Sequence, residues 1–201
     1  MKDPFALLGV PRRPWIDSEL LKQKFLSLSA ESHPDRLHQA NEAQKRAAQD
    51  QFTDLNTAYQ SLRDHRERLL RLSELELGKR TPEVQNIPPE LMTLFLEVGK
   101  LCRDADAFLA QRAQQTSPLL QVQLFERAQE WIERLRALQR QVTHSSEALL
   151  AEVQQLDAGW EELRLAEKQG RLQRLHEIAG LINYFKKWNT QLQGRIVQLS
   201  F

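Results

Sequence analysis

The chain has 201 residues, of which 41% are hydrophobic and 27% charged, and its formal net charge at pH 7 is +1. This composition excludes collagen-like, mucin-like and wholly disordered proteins, and it allows one or two domains that each bury a core. Basic and acidic residues are spread evenly along the chain, so we expect no basic arm that binds nucleic acid. Leucine occurs 34 times, against 13 valines and isoleucines together, which predicts an all-α protein.

The chain has a single cysteine, Cys102. One thiol excludes an internal disulfide framework, a four-thiolate zinc site and an iron-sulfur cluster held by the chain's own cysteines, and we expect it to be buried. An acid and a proline follow Met1 closely, and eighteen apolar residues never occur together. We therefore expect no signal peptide, no membrane span and a cytoplasmic location.

The first predicted helix is short. Asp3 followed by Pro4 is typical of a helix start, and Gly9 and Pro11 end this helix within two turns. After a loop, Asp17 is a candidate cap for a second helix.

Two longer helices are predicted next, over about residues 17–33 and 41–63, with Pro34 stopping the first of them. Each has apolar residues at helical spacing, which predicts that the two helices pack as an antiparallel hairpin. These residues are Leu21, Phe25 and Leu28 on the first helix, and Ala48, Phe52, Leu55, Tyr59 and Leu62 on the second.

Leucines continue the helical pattern to residue 77, so we predict an N-terminal domain over residues 1–77. Residues 78–89 contain Gly78 and three prolines and are predicted to be a linker. Residues 90–201 are predicted to be a bundle of three long antiparallel helices, with a new helix starting at Ser117 and Pro118. The sequence leaves open whether Thr143 to Ser146 start a further helix, and whether Gly170 or Gly180 ends one.

The tripeptide His33-Pro34-Asp35 lies between the two helices of the predicted hairpin. With a short helix before it and the segment Phe52 to Asp64 after it, this arrangement resembles a J-domain over roughly the first 75 residues. Within that superfamily the chain is most similar to the HscB type, the co-chaperones of iron-sulfur cluster assembly. The segment Phe5 to Pro11, the loop with Ile16 and Asp17, and the C-terminal bundle carry this similarity.

The resemblance implies a partner mechanism in place of active-site chemistry. A J-domain binds an ATPase chaperone of the DnaK/HscA class, stimulates ATP hydrolysis and delivers a client protein, which in this family is an iron-sulfur scaffold. His33, Pro34 and Asp35 would contact the chaperone, and Asp35 can accept a charge-assisted hydrogen bond from a partner arginine. Lys22, Lys24 and Arg36 would add positive charge, although an ordinary solvated helix face is the alternative for the lysines.

The resemblance also places a client-binding surface on the bundle. The matching positions are Leu91, Met92, Phe95 and Tyr184. Two acidic positions of the family are Leu96 and Gly99 here, so we expect a more apolar surface. Because these residues recur at helical spacing, the alternative is that several of them belong to the core of the bundle.

The sequence predicts no enzyme: it contains no phosphate-binding glycine loop and no nucleophile signature, and we expect no catalytic residue, bound metal or cofactor. Two alternatives to an HscB-type co-chaperone stay open. One is a general J-protein with a different client. The other is a helical interaction or assembly protein whose J-like domain docks without stimulating a chaperone.

Overall fold

The computed structural model describes residues 2–31, 41–78 and 88–201. In these segments all regular secondary structure is helical, which confirms the all-α prediction. The helices are α1 (Pro4–Leu7), α2 (Ser18–Glu31), α3 (Glu42–Arg63), α4 (His65–Leu77), α5 (Pro89–Ala113), α6 (Pro118–Asp157) and α7 (Leu165–Ser200).

Polar side chains cap the first three helices at or beside the predicted starts. The Asp3 carboxylate accepts the Phe5 N–H at 2.9 Å, and the Asp17 carboxylate accepts the Leu20 N–H at 2.8 Å. Asn41 forms a reciprocal capping box at the start of α3. Each cap satisfies a backbone donor that the first turn of a helix leaves unpaired.

The leucine-rich segment after α3 is a separate helix and does not continue α3. Asp64 is extended (φ −76°, ψ 118°), its N–H donates to the Gln60 carbonyl, and its carboxylate accepts the Glu67 N–H at 3.1 Å. One residue therefore ends α3 and starts α4. Gly78, with φ +65°, ends α4 in the left-handed conformation that glycine adopts without strain.

Three long helices follow, as predicted, and the structure answers the questions that the sequence left open. Thr143 to Ser146 lie inside α6, and Gly170 and Gly180 lie inside α7. The turn between α6 and α7 lies instead at residues 158–164, where Gly159 has φ +66° and begins a short 3₁₀ turn. Within the described residues, no helix is long and apolar enough to cross a membrane.

Contacts divide the chain into two compact units. The first comprises Met1–Val84 and Glu152–Ala179, and the second comprises Gln85–Ala151 and Gly180–Phe201. The first unit therefore combines α1 to α4 with the end of α6 and the start of α7. Each of these units joins two separate segments of the chain, whereas the predicted domains are consecutive segments. The predicted domain limits, 1–77, 78–89 and 90–201, stay a prediction.

Each unit has its own apolar core. In the first unit, α3 packs against α1, α2 and α4, and the side chains that are at most 3% exposed include Phe5, Leu8, Leu21, Leu55, Leu62, Leu69, Leu72, Trp160, Leu172 and Leu175. The second unit contains α5, most of α6 and the end of α7. Its core includes Val98, Phe108, Ile132, Leu135, Val142, Phe185, Trp188 and Leu192.

Candidate functional site

The hairpin of α2 and α3 is held by the apolar stripes that the sequence predicts. The rings of Phe25 and Tyr59 stack with their centroids 4.3 Å apart and an interplanar angle of 13°. On the same helices Leu21 and Leu55 are 2% and 3% exposed. Burying these side chains from both helices stabilises the hairpin through the hydrophobic effect.

Lys22 and Lys24, which are predicted to bind a chaperone, are both exposed on α2. The ammonium group of Lys22 lies 3.9 Å from the Glu19 carboxylate, one turn earlier in the helix. Side chains two positions apart on a helix point in different directions, so Lys22 and Lys24 do not face the same side of α2. The other predicted chaperone-binding residues, His33, Pro34, Asp35 and Arg36, lie outside the residues that the structure describes.

A buried arginine, which the sequence analysis did not single out, lies at the start of α4. Arg68 is 2% exposed. Its guanidinium donates to the carbonyl oxygens of Pro14 and Leu62, each at 2.9 Å, and lies 2.7 Å from Nδ1 of His65. Among the described residues it forms no ion pair with a carboxylate, and burial lowers the pKa of Arg68 to about 10. It therefore stays charged at pH 7 inside the first unit.

Trp15 and His65 complete the surroundings of this guanidinium. Their rings stack with centroids 5.5 Å apart, and the Arg68 guanidinium carbon lies 5.7 Å from the centroid of Trp15. Burial, followed by the charge of Arg68, lowers the pKa of His65, which favours the neutral imidazole. Neutral His65 can accept a hydrogen bond from Arg68, whereas a protonated ring could not.

A second arrangement that the sequence did not reveal ties the loop before α2 to the end of α6, within the first unit. Asp157 is 5% exposed. Both of its oxygens accept from Nε of Arg13, at 3.0 and 3.1 Å, a second guanidinium nitrogen also contacts it, and it accepts the Trp15 N–H at 3.0 Å. The hydrogen bond to Asp157 raises the pKa of Arg13. Two residues separated by more than 140 positions share no local pattern that would reveal such a pair.

The predicted client-binding residues lie in the second unit and divide into two groups. Met92 and Phe95 are 41% and 39% exposed, and Leu96 beside them is 60% exposed. Leu91 and Tyr184 are partly buried against the core of the bundle. Met92 and Phe95 are thus exposed, as a binding surface requires, whereas Leu91 and Tyr184 belong partly to the core. The client-binding role of all four residues stays a prediction.

Trp188 of α7 brings the predicted client-binding residues together. This side chain is 4% exposed. The ring of Phe95 lies 6.1 Å from Trp188, and that of Tyr184 lies 6.2 Å from it. Met92, Phe95 and Leu96 thus form an exposed apolar patch on α5, which we call the α5 patch. The ring of Phe95 lies beside the buried ring of Trp188.

Cys102 is buried, as expected, and burial raises the pKa of its thiol. Such a thiol is mostly protonated at neutral pH and is a poor nucleophile. In the described parts of the chain, no group of three or more histidine, cysteine, aspartate or glutamate side chains is placed to hold a metal ion.

Comparison with known proteins finds a matching family for α1 to α3 and the start of α4. Residues 3–70 match the family model of the DnaJ domain. This segment contains α1 to α3, the start of α4 and the His33-Pro34-Asp35 tripeptide. Residues 3–70 are therefore similar to a DnaJ domain, as the sequence predicts.

The resemblance to HscB-type co-chaperones is also confirmed. The chain is 38% identical over 77 residues to a protein of Paraburkholderia phymatum named "Co-chaperone protein HscB homolog". That match covers 37% of this chain and 44% of the relative, so it spans less than half of either protein.

Two solved structures have the same fold over almost the whole chain. Chaperone HscB from Vibrio cholerae covers 95% of this chain and 99% of its own, with a TM-score of 0.57 and 22% identity. Human co-chaperone protein HscB covers 96% of this chain and 81% of its own, with a TM-score of 0.66 and 17% identity. At these identities the likeness concerns the fold: a J-domain together with a helical bundle.

Proposed function

We propose that this protein is a co-chaperone that binds an ATPase chaperone of the DnaK/HscA class and stimulates its ATP hydrolysis. The observation that carries the proposal is the DnaJ-domain match over residues 3–70, which contains His33, Pro34 and Asp35. Proline restricts the backbone between the two side chains, so that histidine and carboxylate are presented with little loss of conformational entropy on binding. Arg36, with Lys22 and Lys24, adds positive charge that accelerates encounter with an acidic surface.

We further propose that the bundle delivers a client protein, an iron-sulfur cluster scaffold, to the chaperone. The support is the likeness of fold to two HscB proteins and the exposure of Met92 and Phe95. Exposed methionine and aromatic side chains suit a transient protein interface, because they contribute a large contact area and adapt to their partner. Leu91 and Tyr184 would support this surface from the edge of the core.

A single-turnover ATPase measurement tests both parts of the proposal. The chaperone would be a DnaK/HscA-class protein from the same organism, with and without the iron-sulfur scaffold. We expect the wild-type protein to accelerate ATP hydrolysis and the scaffold to increase that effect. Asp35→Asn should abolish the acceleration, because the neutral amide loses the charge-assisted hydrogen bond.

The outcomes separate this proposal from the alternatives. If the protein accelerates ATP hydrolysis equally with and without the scaffold, the result would support a general J-protein with a different client. No acceleration by the wild-type protein with any such chaperone of that organism would leave a helical interaction protein. A matched control is Asp50→Asn on α3, an exposed carboxylate outside the tripeptide, which should accelerate hydrolysis like the wild type.

A further inference from the structure

We propose that a cavity in the first unit binds a small aromatic carboxylate. The cavity has a volume of about 570 Å³, which lies in the range of pockets for small organic ligands. Four elements enclose it: the loop before α2, the first turns of α2, the end of α3 and the start of α4. The inference is independent of the proposed co-chaperone function.

Aromatic and aliphatic side chains form the walls that would hold the body of the ligand. They are Trp15, Ile16, Leu21 and Tyr59. Trp15 is fixed by its stack on His65, and Tyr59 by its stack on Phe25, so both rings are held in place before a ligand arrives. Fixed rings lose little side-chain entropy on binding, and they favour a flat aromatic partner.

Two arginines in the same lining have no carboxylate partner among the described residues. Arg63 is exposed at the end of α3, and Arg68 is buried. Arg68 makes three hydrogen bonds to neutral groups, which leaves donors of its guanidinium unused, since arginine has five N–H groups. The carboxylates of Asp157 and Asp64 act on Arg68 without forming an ion pair with it. A bound carboxylate would add a direct, charge-assisted hydrogen bond to this buried cation.

The two acidic side chains of the lining are already engaged within α2. The Asp17 carboxylate accepts the Leu20 N–H, and Glu19 lies 3.9 Å from the ammonium group of Lys22. Lys22, Arg63 and Arg68 outnumber these two acids, so the formal charge of the lining favours an anion over a cation. The N-terminus of α2, with its partial positive charge, also borders the cavity.

The test is a nuclear magnetic resonance titration of the full-length protein with 2-naphthoate. Trp15 supplies the reporter, because its indole N–H signal can be assigned by comparison with Trp15→Phe. We expect 2-naphthoate to shift the Trp15 signal saturably and to leave the signal of Trp131, in the second unit, in place. The uncharged analogue 2-naphthamide should bind about tenfold more weakly, since it lacks the charge-assisted bond.

Two matched variants test whether the positive charge of the cavity lining is responsible for 2-naphthoate binding. Arg63→Gln should weaken 2-naphthoate binding about tenfold, whereas Arg46→Gln, which removes an equal charge from an exposed position elsewhere on α3, should leave it unchanged. Arg63 is exposed, so its replacement leaves the core intact. The proposal is overturned if millimolar 2-naphthoate does not move the Trp15 signal, if both probes bind equally, or if both variants weaken binding equally.

Discussion

At the scale of single residues, His65 links the stability of the first unit to pH. Burial and the charge of Arg68 lower the pKa of His65 in the folded protein, and Asp64 opposes this shift. An unfolded histidine titrates near pH 6.5, roughly. The unfolded chain therefore takes up the proton at a higher pH than the folded chain does. As pH falls below about 6.5, the free energy of unfolding decreases until the folded pKa is passed.

His65→Asn should reduce this pH dependence. The asparagine oxygen can replace Nδ1 as the acceptor for Arg68, but the side chain does not titrate. We expect the wild-type protein to lose more stability than the variant between about pH 7 and pH 5, as measured by urea denaturation followed by circular dichroism. His144→Asn, at an exposed position on α6, is the control and should behave like the wild type. Equal pH dependence in wild type and His65→Asn would contradict the prediction.

At the scale of elements, the α6–α7 turn depends on one glycine. Gly159 has φ +66°, and a Cβ added there would meet no atom within 4 Å. Gly159→Ala should therefore lower the free energy of unfolding by about 1 kcal/mol through backbone strain alone. Gly170→Ala is the matched comparison: it is exposed inside α7, equally free of contacts, and should raise stability by roughly 0.8 kcal/mol.

Chemical denaturation of both glycine variants measures the two changes. The opposite signs matter, because both substitutions add the same methyl group and differ only in backbone conformation. If both variants were destabilised by the same amount, the left-handed conformation of Gly159 would not be the cause.

The helices could be predicted from the sequence, because capping residues and first-turn prolines mark where a helix starts. Asp17 caps α2, Asn41 caps α3 and Pro118 begins α6, as their residue types indicate. The turn at Gly159 was not predicted, since a single glycine can weaken a helix or end it, and only the φ angle distinguishes the two.

The features of the candidate sites also differ in whether the local sequence predicts them. The sequence marks Leu91, Met92 and Phe95 as candidates but leaves open which of them are core; the structure shows that Met92 and Phe95 are exposed and that Leu91 is partly buried. The contacts of Arg13 and Arg68 are not visible there, because their partners are backbone carbonyls, a histidine ring or a residue far along the chain. In sequence alone, a buried arginine looks like the exposed ones that surround it.

At the scale of the whole molecule, the proposed function assigns separate tasks to separate surfaces. The tripeptide beginning at His33 would act on the chaperone, and the α5 patch would bind the client. If these tasks are separable, a change in one surface should leave the other activity intact. The second unit offers a suitable comparison, because Val122 and Phe125 of α6 are 62% and 54% exposed and belong to no predicted site.

Replacing Met92 and Phe95 together by serine should weaken binding of the iron-sulfur scaffold at least about tenfold, which corresponds to about 1.4 kcal/mol, because a few side chains near the centre of an interface carry most of its binding energy. The same double variant should stimulate the chaperone's ATPase like the wild type when scaffold is absent. Calorimetric titration with the scaffold and single-turnover hydrolysis measure the two effects. The control, Val122→Ser with Phe125→Ser, removes a similar apolar area from α6 and should bind the scaffold normally. Equal weakening in both double variants would mean that scaffold binding follows general surface hydrophobicity, and unchanged binding in the first would remove the α5 patch from the client surface.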